Sequence, residues 1–242
     1  MIEMKDVSFS YNNSKEQVLS NINFKIDNNE SVGIIGANGA GKSTILKLLV
    51  GLELGYKGDV IVENLKVDKQ NLQKVREKIG YVFQEVEAQL FMPTVYQDIA
   101  FAPKNYGYSK EEVENRVNKA LKSVGIENLK DRQIYCLSGG QKKLVSIATV
   151  LSMKPEILIF DEPTIALDPK NRRKFIEVLN SLNGTKIVTS HDLDLIYDTC
   201  ERTILISNRK IIANGETRKI LNNKELLENN GLELPLSLIK RA

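Results

Sequence analysis

One histidine, two cysteines and no apolar run of membrane-spanning length occur in these 242 residues. Each scarcity excludes something. Cys136 and Cys200 are too few and too far apart for a disulfide framework or a metal knuckle, so both read as reduced, ordinary thiols. A membrane helix needs ~20 consecutive apolar residues, and nothing here approaches that length. The opening MIEMKDVSFS has neither the basic nor the apolar region of a secretory leader. The expectation is a chain kept in the cytoplasm, free to dock on a membrane partner. Charge excess is missing as well: 34 Lys and Arg stand against 31 Asp and Glu, and the signs are interspersed. No nucleic-acid stripe stands out, and there is no internal repeat or low-complexity linker. The lone His191, in KIVTSHDLDL, has no special meaning by itself.

What is present is enough apolar residue, 42% of the chain, to bury a full core. MKDVSFSY and VLSNINFKI alternate and predict strands of a half-exposed antiparallel sheet. SVGIIG is unalternated, as a parallel strand buried on both faces requires. It leads into a glycine-rich turn and the helix-like KSTILKLLVGL; GDVIVENLKV predicts one more strand. From Ser109 the period becomes helical, with Val113, Val117, Leu121 and Val124 on one face and Ser109 and Glu112 at capping-box spacing. A second helix through Leu144, Ile147, Ala148 and Leu151 stops before Pro155. EILIFDEP and TKIVTSHD predict two more buried strands around the helix-like NRRKFIEVLNSL, and TILISNRKIIANGE reads as a hairpin. This alternation predicts an α/β fold: a mostly parallel sheet with helices on both faces. Residues 1–85 and 154–214 would form the α/β core with an N-terminal antiparallel β subdomain. Residues 86–153 would form an inserted α-helical subdomain, and 215–242 a helical tail.

GANGAGKST, Gly36 to Thr44, fits G-x4-G-K-[ST] and sits between a buried strand and a helix, as that pattern must. Its members Gly36, Ala37, Asn38, Gly39, Ala40 and Gly41 turn successive N–H groups toward one anion at a helix start. Lys42 would reach the β- and γ-phosphates, and the Ser43 hydroxyl would ligate Mg²⁺. ILIFDE puts Asp161 at the carboxyl end of a strand, where open α/β sheets bind ligands. Asp161 would hold Mg²⁺, and Glu162 just beyond it can face an attacking water. LSGGQ offers a second anion cradle: Ser138 caps a helix, Gly139 and Gly140 expose backbone N–H groups, and Gln141 follows.

In this order the motifs resemble those of the nucleotide-binding subunit of ABC transporters, over essentially the whole chain. GANGAGKST is similar to Walker A, LSGGQ to the ABC signature and ILIFDE to Walker B. IALDP resembles the D-loop, with Asp168; Gln84 the Q-loop, also placed on the metal; and His191 the H-loop. Tyr11, on the strand face of Phe9, matches the aromatic that stacks on adenine. The resemblance implies a P-loop NTPase (RecA-like) core and Mg²⁺-ATP hydrolysis with Glu162 as general base. His191 would hold the γ-phosphate and the water. It further implies a head-to-tail dimer, with an identical chain or a paralogue, in which the signature of one chain meets ATP on the other.

The stretch after Gln84, EVEAQLFMPTVYQDIAFAPKNYGYSKEEV, resembles energy-coupling-factor importers, and GLELP, HDLDL and LSGGQKK their cobalt/nickel members. This implies an integral-membrane coupling subunit, a substrate-binding membrane subunit, and a place on the cytoplasmic face of the membrane. Leu90, Phe91, Met92 and Val95 suit either a groove for a coupling helix or plain subdomain core. Ile165, Ala166, Leu144 and Ala88 depart from the family pattern, but none removes a phosphate, metal or base group. The alternative, a non-transport ABC ATPase of DNA repair or translation, would call for a coiled coil or tandem ATPase domains.

Overall fold

In the computed structural model, described for residues 1–11 and 16–239, two sheets share one molecule. The smaller is four-stranded and antiparallel, in the order β2-β1-β4-β5. Its strands are β1 (Ile2–Phe9), β2 (Leu19–Ile26), β4 (Lys57–Val62) and β5 (Leu65–Lys66). The larger has six strands in the order β10-β9-β3-β8-β7-β6. These are β3 (Ser31–Ile35), β6 (Ile79–Val82), β7 (Ile157–Asp161), β8 (Thr185–Thr189), β9 (Arg202–Ser207) and β10 (Lys210–Glu216). All run parallel except β10, which returns antiparallel along β9. The unalternated runs are the central strands: every residue of β3 and of β7 is buried.

Side-chain alternation on those strands separates two cores. Ile34, Ile157, Ile159, Ile187 and Ile204 face α1 (Lys42–Leu49) and the antiparallel sheet. Leu158, Phe160 and Val188 face the helices α5 (Gly139–Leu151), α6 (Pro169–Ser181) and α7 (Leu193–Thr199). Helices therefore cover one face, while the other is covered largely by a second sheet. The half-polar alternation of β1 and β2 leaves them only one face to bury, and the parallel sheet supplies the partner surface. GDVIVENLKV also differs from one strand: Glu63 and Asn64 take φ of 47° and 62° and turn the chain into β5.

Between β5 and β6 lies α2 (Leu72–Lys78), and between β6 and β7 come α3 (Val95–Asn105), α4 (Lys110–Val124) and α5, with 3-10 turns before α3 and between α4 and α5. Ser109 caps α4, accepting the Glu112 N–H at 3.2 Å. Only that half of the capping box forms, because the Glu112 carboxylate instead accepts from Arg116 Nε at 2.8 Å. Both halves form at Ser138 and Gln141, which start α5. The tail holds α8 (Thr217–Leu221) and α9 (Lys224–Glu228). Among the described residues no helix is long and apolar enough to cross a membrane.

Candidate active site

Four adjacent parallel strands, β3, β8, β7 and β6, deliver their carboxyl ends to one edge of the sheet. From these ends come the Gly36–Thr44 loop, His191, Asp161 with Glu162, and Gln84. A cavity of about 390 Å³ opens there, lined by residues 38–44, Tyr11, Val18, Gln84, Glu162, Ile165 and His191.

Gly41 stands at the start of α1 with φ 104° and no side-chain cap, so the first N–H groups of the helix stay available to an anion. A Cβ at Gly41 would lie 2.6 Å from Leu19 Cδ2, which leaves room only for glycine. Lys42, 7% exposed, donates from Nζ to the carbonyls of Gly36 at 2.8 Å and Ala37 at 3.3 Å. Its ammonium also lies 3.1 Å from His191 Nε2. Because an ammonium only donates, Nε2 accepts there. Burial lowers the Lys42 pKa, against the opposing pull of Glu162 and Asp161.

Three hydroxyls converge on the Asp161 carboxylate. Oδ1 accepts from Ser43 Oγ at 3.2 Å and Thr189 Oγ1 at 2.7 Å, and Oδ2 from the Tyr81 hydroxyl at 2.9 Å. Glu162, 5% exposed, holds a left-handed backbone with φ 44°. Its Oε2 accepts the His191 backbone N–H at 3.0 Å. Its Oε1 is buried without a hydrogen-bond partner among the described residues. His191 Nε2 lies 3.4 Å from that oxygen, but its lone pair already faces Lys42. A buried carboxylate oxygen left bare at a cavity wall is a strong acceptor for a polar molecule entering the cavity.

Tyr11 lies two residues beyond the end of β1, not within it. Its ring meets Phe9 edge-on at 4.9 Å, and its hydroxyl is 3.0 Å from Thr44 Oγ1. Lys143, 3% exposed, donates to the carbonyls of Phe83 and Gln84, both at 3.0 Å, and fixes the Gln84 loop to α5. Burial pushes the Lys143 pKa down to about 8. Ser138, Gly139, Gly140, Gln141 and Asp168 do not line the cavity. Ser138 accepts the Gln141 N–H at 3.4 Å, while Gln141 Oε1 accepts the Ser138 N–H at 3.0 Å. Asp168 caps α6, accepting from the N–H groups of Lys170 and Asn171, both at 3.0 Å. Gly140 is packed so closely that an added Cβ would lie 2.3 Å from Asn171 Cγ.

The ABC transporter family model matches residues 19–165. The chain is an ABC transporter ATPase. Among this ATPase's curated relatives, an ABC transporter ATP-binding protein of Geobacter sulfurreducens is 47% identical over 98% of this chain and 95% of its own length. The energy-coupling factor transporter ATP-binding protein EcfA of Methanothermobacter thermautotrophicus is 42% identical over 97% of this chain and 77% of its own. Among solved structures, CbiO1 of Clostridium perfringens, described as part of the ABC transporter complex CbiONQ, matches with TM-score 0.85 and 35% identity over 94% and 93% of the two chains. The ATP-binding cassette MJ0796, solved as a dimer in a post-hydrolysis state with ADP and Pi, matches with TM-score 0.79 and 31% identity over 90% and 99%.

The fold thus brings residues predicted as Walker A, Walker B, Q-loop and H-loop to one end of the sheet and leaves those predicted as signature and D-loop outside the cavity. Sequence reasoning missed Tyr81, Thr189 and Lys143. The only available signal was their polarity at the end of a buried strand or inside a helix. The Leu90 to Val95 group divides: Leu90 and Val95 are core, at 8% and 0% exposed, whereas Phe91 is 61% exposed. Phe91 stacks edge-on with Phe101 at 4.8 Å, and both line a separate groove of about 270 Å³ with Tyr81, Tyr106 and Met153.

Proposed function

We propose that this ATPase energises an energy-coupling-factor importer for cobalt, nickel or another micronutrient, docked at the cytoplasmic face of the membrane. It works as a head-to-tail pair with an identical chain or a paralogue. One observation carries the reading: Lys42, Ser43, Glu162, His191 and Gln84 line one cavity, with Asp161 held behind it on Ser43, while the Ser138 cradle lies outside it. A cradle that cannot serve its own cavity can serve that of a second copy.

In this reading the N–H groups of residues 38–44 and the Lys42 ammonium bind the triphosphate, and Tyr11 stacks on the adenine. Glu162 takes the proton of the attacking water through its bare Oε1. His191 turns from Lys42 to the γ-phosphate and orders that water. The donors Ser43, Asp161 and Gln84 are all oxygen ligands, which fits Mg²⁺; when bound, that ion would spread the charge of the transferring phosphoryl group. Residues 86–153 act as the helical subdomain, and the Phe91–Phe101 groove accepts an apolar helix of the membrane coupling subunit. The relatives named for energy-coupling factor and for CbiONQ support transport over DNA repair or translation.

Co-purification of the tagged chain from solubilised membranes tests this. An integral-membrane subunit is expected to accompany it, with ATP hydrolysis that Lys42→Ala abolishes together with nucleotide binding. Hydrolysis without any membrane subunit would sink the transport reading alone. Unchanged nucleotide affinity in Lys42→Ala would sink the site.

A further inference from the structure

Thr189 closes β8 beside the end of β7 and is wholly buried. A hydroxyl has one hydrogen to give and two lone pairs to accept with. Here the hydrogen goes to Asp161 Oδ1 at 2.7 Å, and the oxygen accepts the Glu162 N–H at 3.2 Å. The Thr189 carbonyl shares that N–H at 3.1 Å. One side chain therefore touches two consecutive acids whose tasks differ. Both need such help. The terminal torsion of an aspartate is broad, so its carboxylate has no preferred rotation of its own. Glu162 sits in a backbone state that a long side chain disfavours unless its surroundings hold it there. On the other side of Asp161, Tyr81 reaches Oδ2 from β6 with its ring packed on Phe83, centroids 4.7 Å apart. Because a carboxylate only accepts, the Tyr81 hydroxyl is the donor in that contact. Ser43 is assigned to the metal, which leaves Thr189 and Tyr81 to fix the rotation of Asp161.

We propose that the Thr189 hydroxyl is a positioning group for both acids at once, orienting Asp161 toward the metal and holding the backbone of Glu162 for attack, while the Tyr81 hydroxyl positions Asp161 alone. This rests on the assignment of Asp161 to Mg²⁺ and of Glu162 to the base. It divides the labour in a way that two substitutions can separate. Partners standing behind a metal ligand typically change metal affinity or activity by ~10–100-fold when removed.

The full chain is titrated with a non-hydrolysable imidophosphate analogue of ATP at a series of Mg²⁺ concentrations by calorimetry, with steady-state phosphate release measured in parallel. Tyr81→Phe is expected to raise the Mg²⁺ concentration for half-maximal analogue binding by about 10-fold, with kcat restored at saturating Mg²⁺. Thr189→Val is expected to raise it similarly and to keep a kcat deficit of about 10-fold that Mg²⁺ does not repair. Thr189→Ser keeps the hydroxyl and recovers most of both. A folded Thr189→Val with wild-type Mg²⁺ requirement and kcat would overturn the proposal. So would a Thr189→Ser as impaired as the valine variant, since that would assign the effect to the lost methyl. If Thr189→Val does not fold, Tyr81→Phe still decides: a deficit that survives saturating Mg²⁺ contradicts the division. A wild-type chain that binds no analogue at any Mg²⁺ concentration overturns the site assignment itself.

Discussion

Glu162→Gln is the substitution from which the site has most to reveal. The amide oxygen of glutamine can still accept the His191 N–H, now 3.0 Å from Oε2, so the loop after β8 keeps its anchor. The amide nitrogen replaces Oε1, which has no hydrogen-bond partner among the described residues, and faces the cavity, because the His191 Nε2 lone pair is already taken by Lys42. A buried, half-satisfied charge becomes a neutral group of the same shape that keeps its one partner, the His191 N–H, so the fold should be largely unharmed. The charge change also favours nucleotide, because one anion fewer faces the triphosphate. Catalysis loses its proton acceptor. A positioned general base contributes ~10²–10⁴-fold, and each tenfold is ~1.4 kcal/mol of barrier, so the loss is ~3–5 kcal/mol. Phosphate release should fall by that factor while ATP affinity holds or rises. Gel filtration with Mg²⁺-ATP should show the variant accumulating as a dimer. A kcat within ~3-fold of wild type would refute the base assignment, since it falls far short of the ~10²-fold a positioned general base typically contributes. Lost ATP binding would refute the geometric argument that glutamine preserves the site.

Two further outcomes follow from contacts outside the cavity. Gly140→Ala should destabilise by ~1–2 kcal/mol even though alanine is the better helix former, because its Cβ would meet Asn171 Cγ at 2.3 Å and push that side chain off Asp168. Adding Asn171→Ala should restore stability in urea unfolding, and a Gly140→Ala chain more stable than wild type would contradict the packing. Arg172 holds Asp192 through two bonds of 2.5 and 2.9 Å, with both side chains about a quarter exposed, so Arg172→Ala should cost only ~1 kcal/mol at pH 7. Burial pushes the Asp192 pKa up, but Arg172 and the Leu195 N–H outweigh it and hold the carboxyl below its usual value. A depressed folded pKa stabilises above the unfolded value near ~4 and stops doing so as pH falls through the lower one. Wild type should therefore lose stability more steeply than Arg172→Ala between pH ~4 and 3, and parallel urea midpoints across that range would refute the pairing.

Much of this was legible in the residues because the physics is local. SVGII and ILIFD are unalternated, and only a strand buried on both faces tolerates that. Ser109 and Ser138 sit where a helix needs an acceptor for its first N–H groups, and both cap. The rest depended on neighbours that spacing does not encode. Thr189 reads as a β-branched strand residue; its role appears only once β8 lies parallel to β7 with Thr189 opposite Asp161. Tyr81 reaches the same carboxylate from β6, far away in sequence. Leu90 and Phe91 are adjacent and equally apolar, yet one is buried and the other open, because which side of that turn faces α5 is a tertiary decision. The second sheet's place over the parallel one was likewise invisible, since half-polar alternation names a buried face but not its partner.

The two helix starts differ in how their N–H groups are satisfied, and the difference orders events in the proposed cycle. At α1 the cap is a glycine with no side chain to offer, so the N–H groups of Lys42, Ser43 and Thr44 have no partner among the described residues. At α5 the Ser138–Gln141 box occupies the capping N–H and the third one, which leaves only those of Gly139 and Gly140. The first cradle is thus the stronger anion site, and it also has the Lys42 charge beside it. Nucleotide should bind one chain before the pair closes, with the signature adding affinity only once a second copy presents it. On this argument, weakening the first cradle removes binding and closure together, whereas Ser138→Ala, by ~1 kcal/mol of lost cap at α5, weakens closure while a lone chain still binds nucleotide. A Ser138→Ala chain that binds nucleotide less tightly as a monomer would reverse that order.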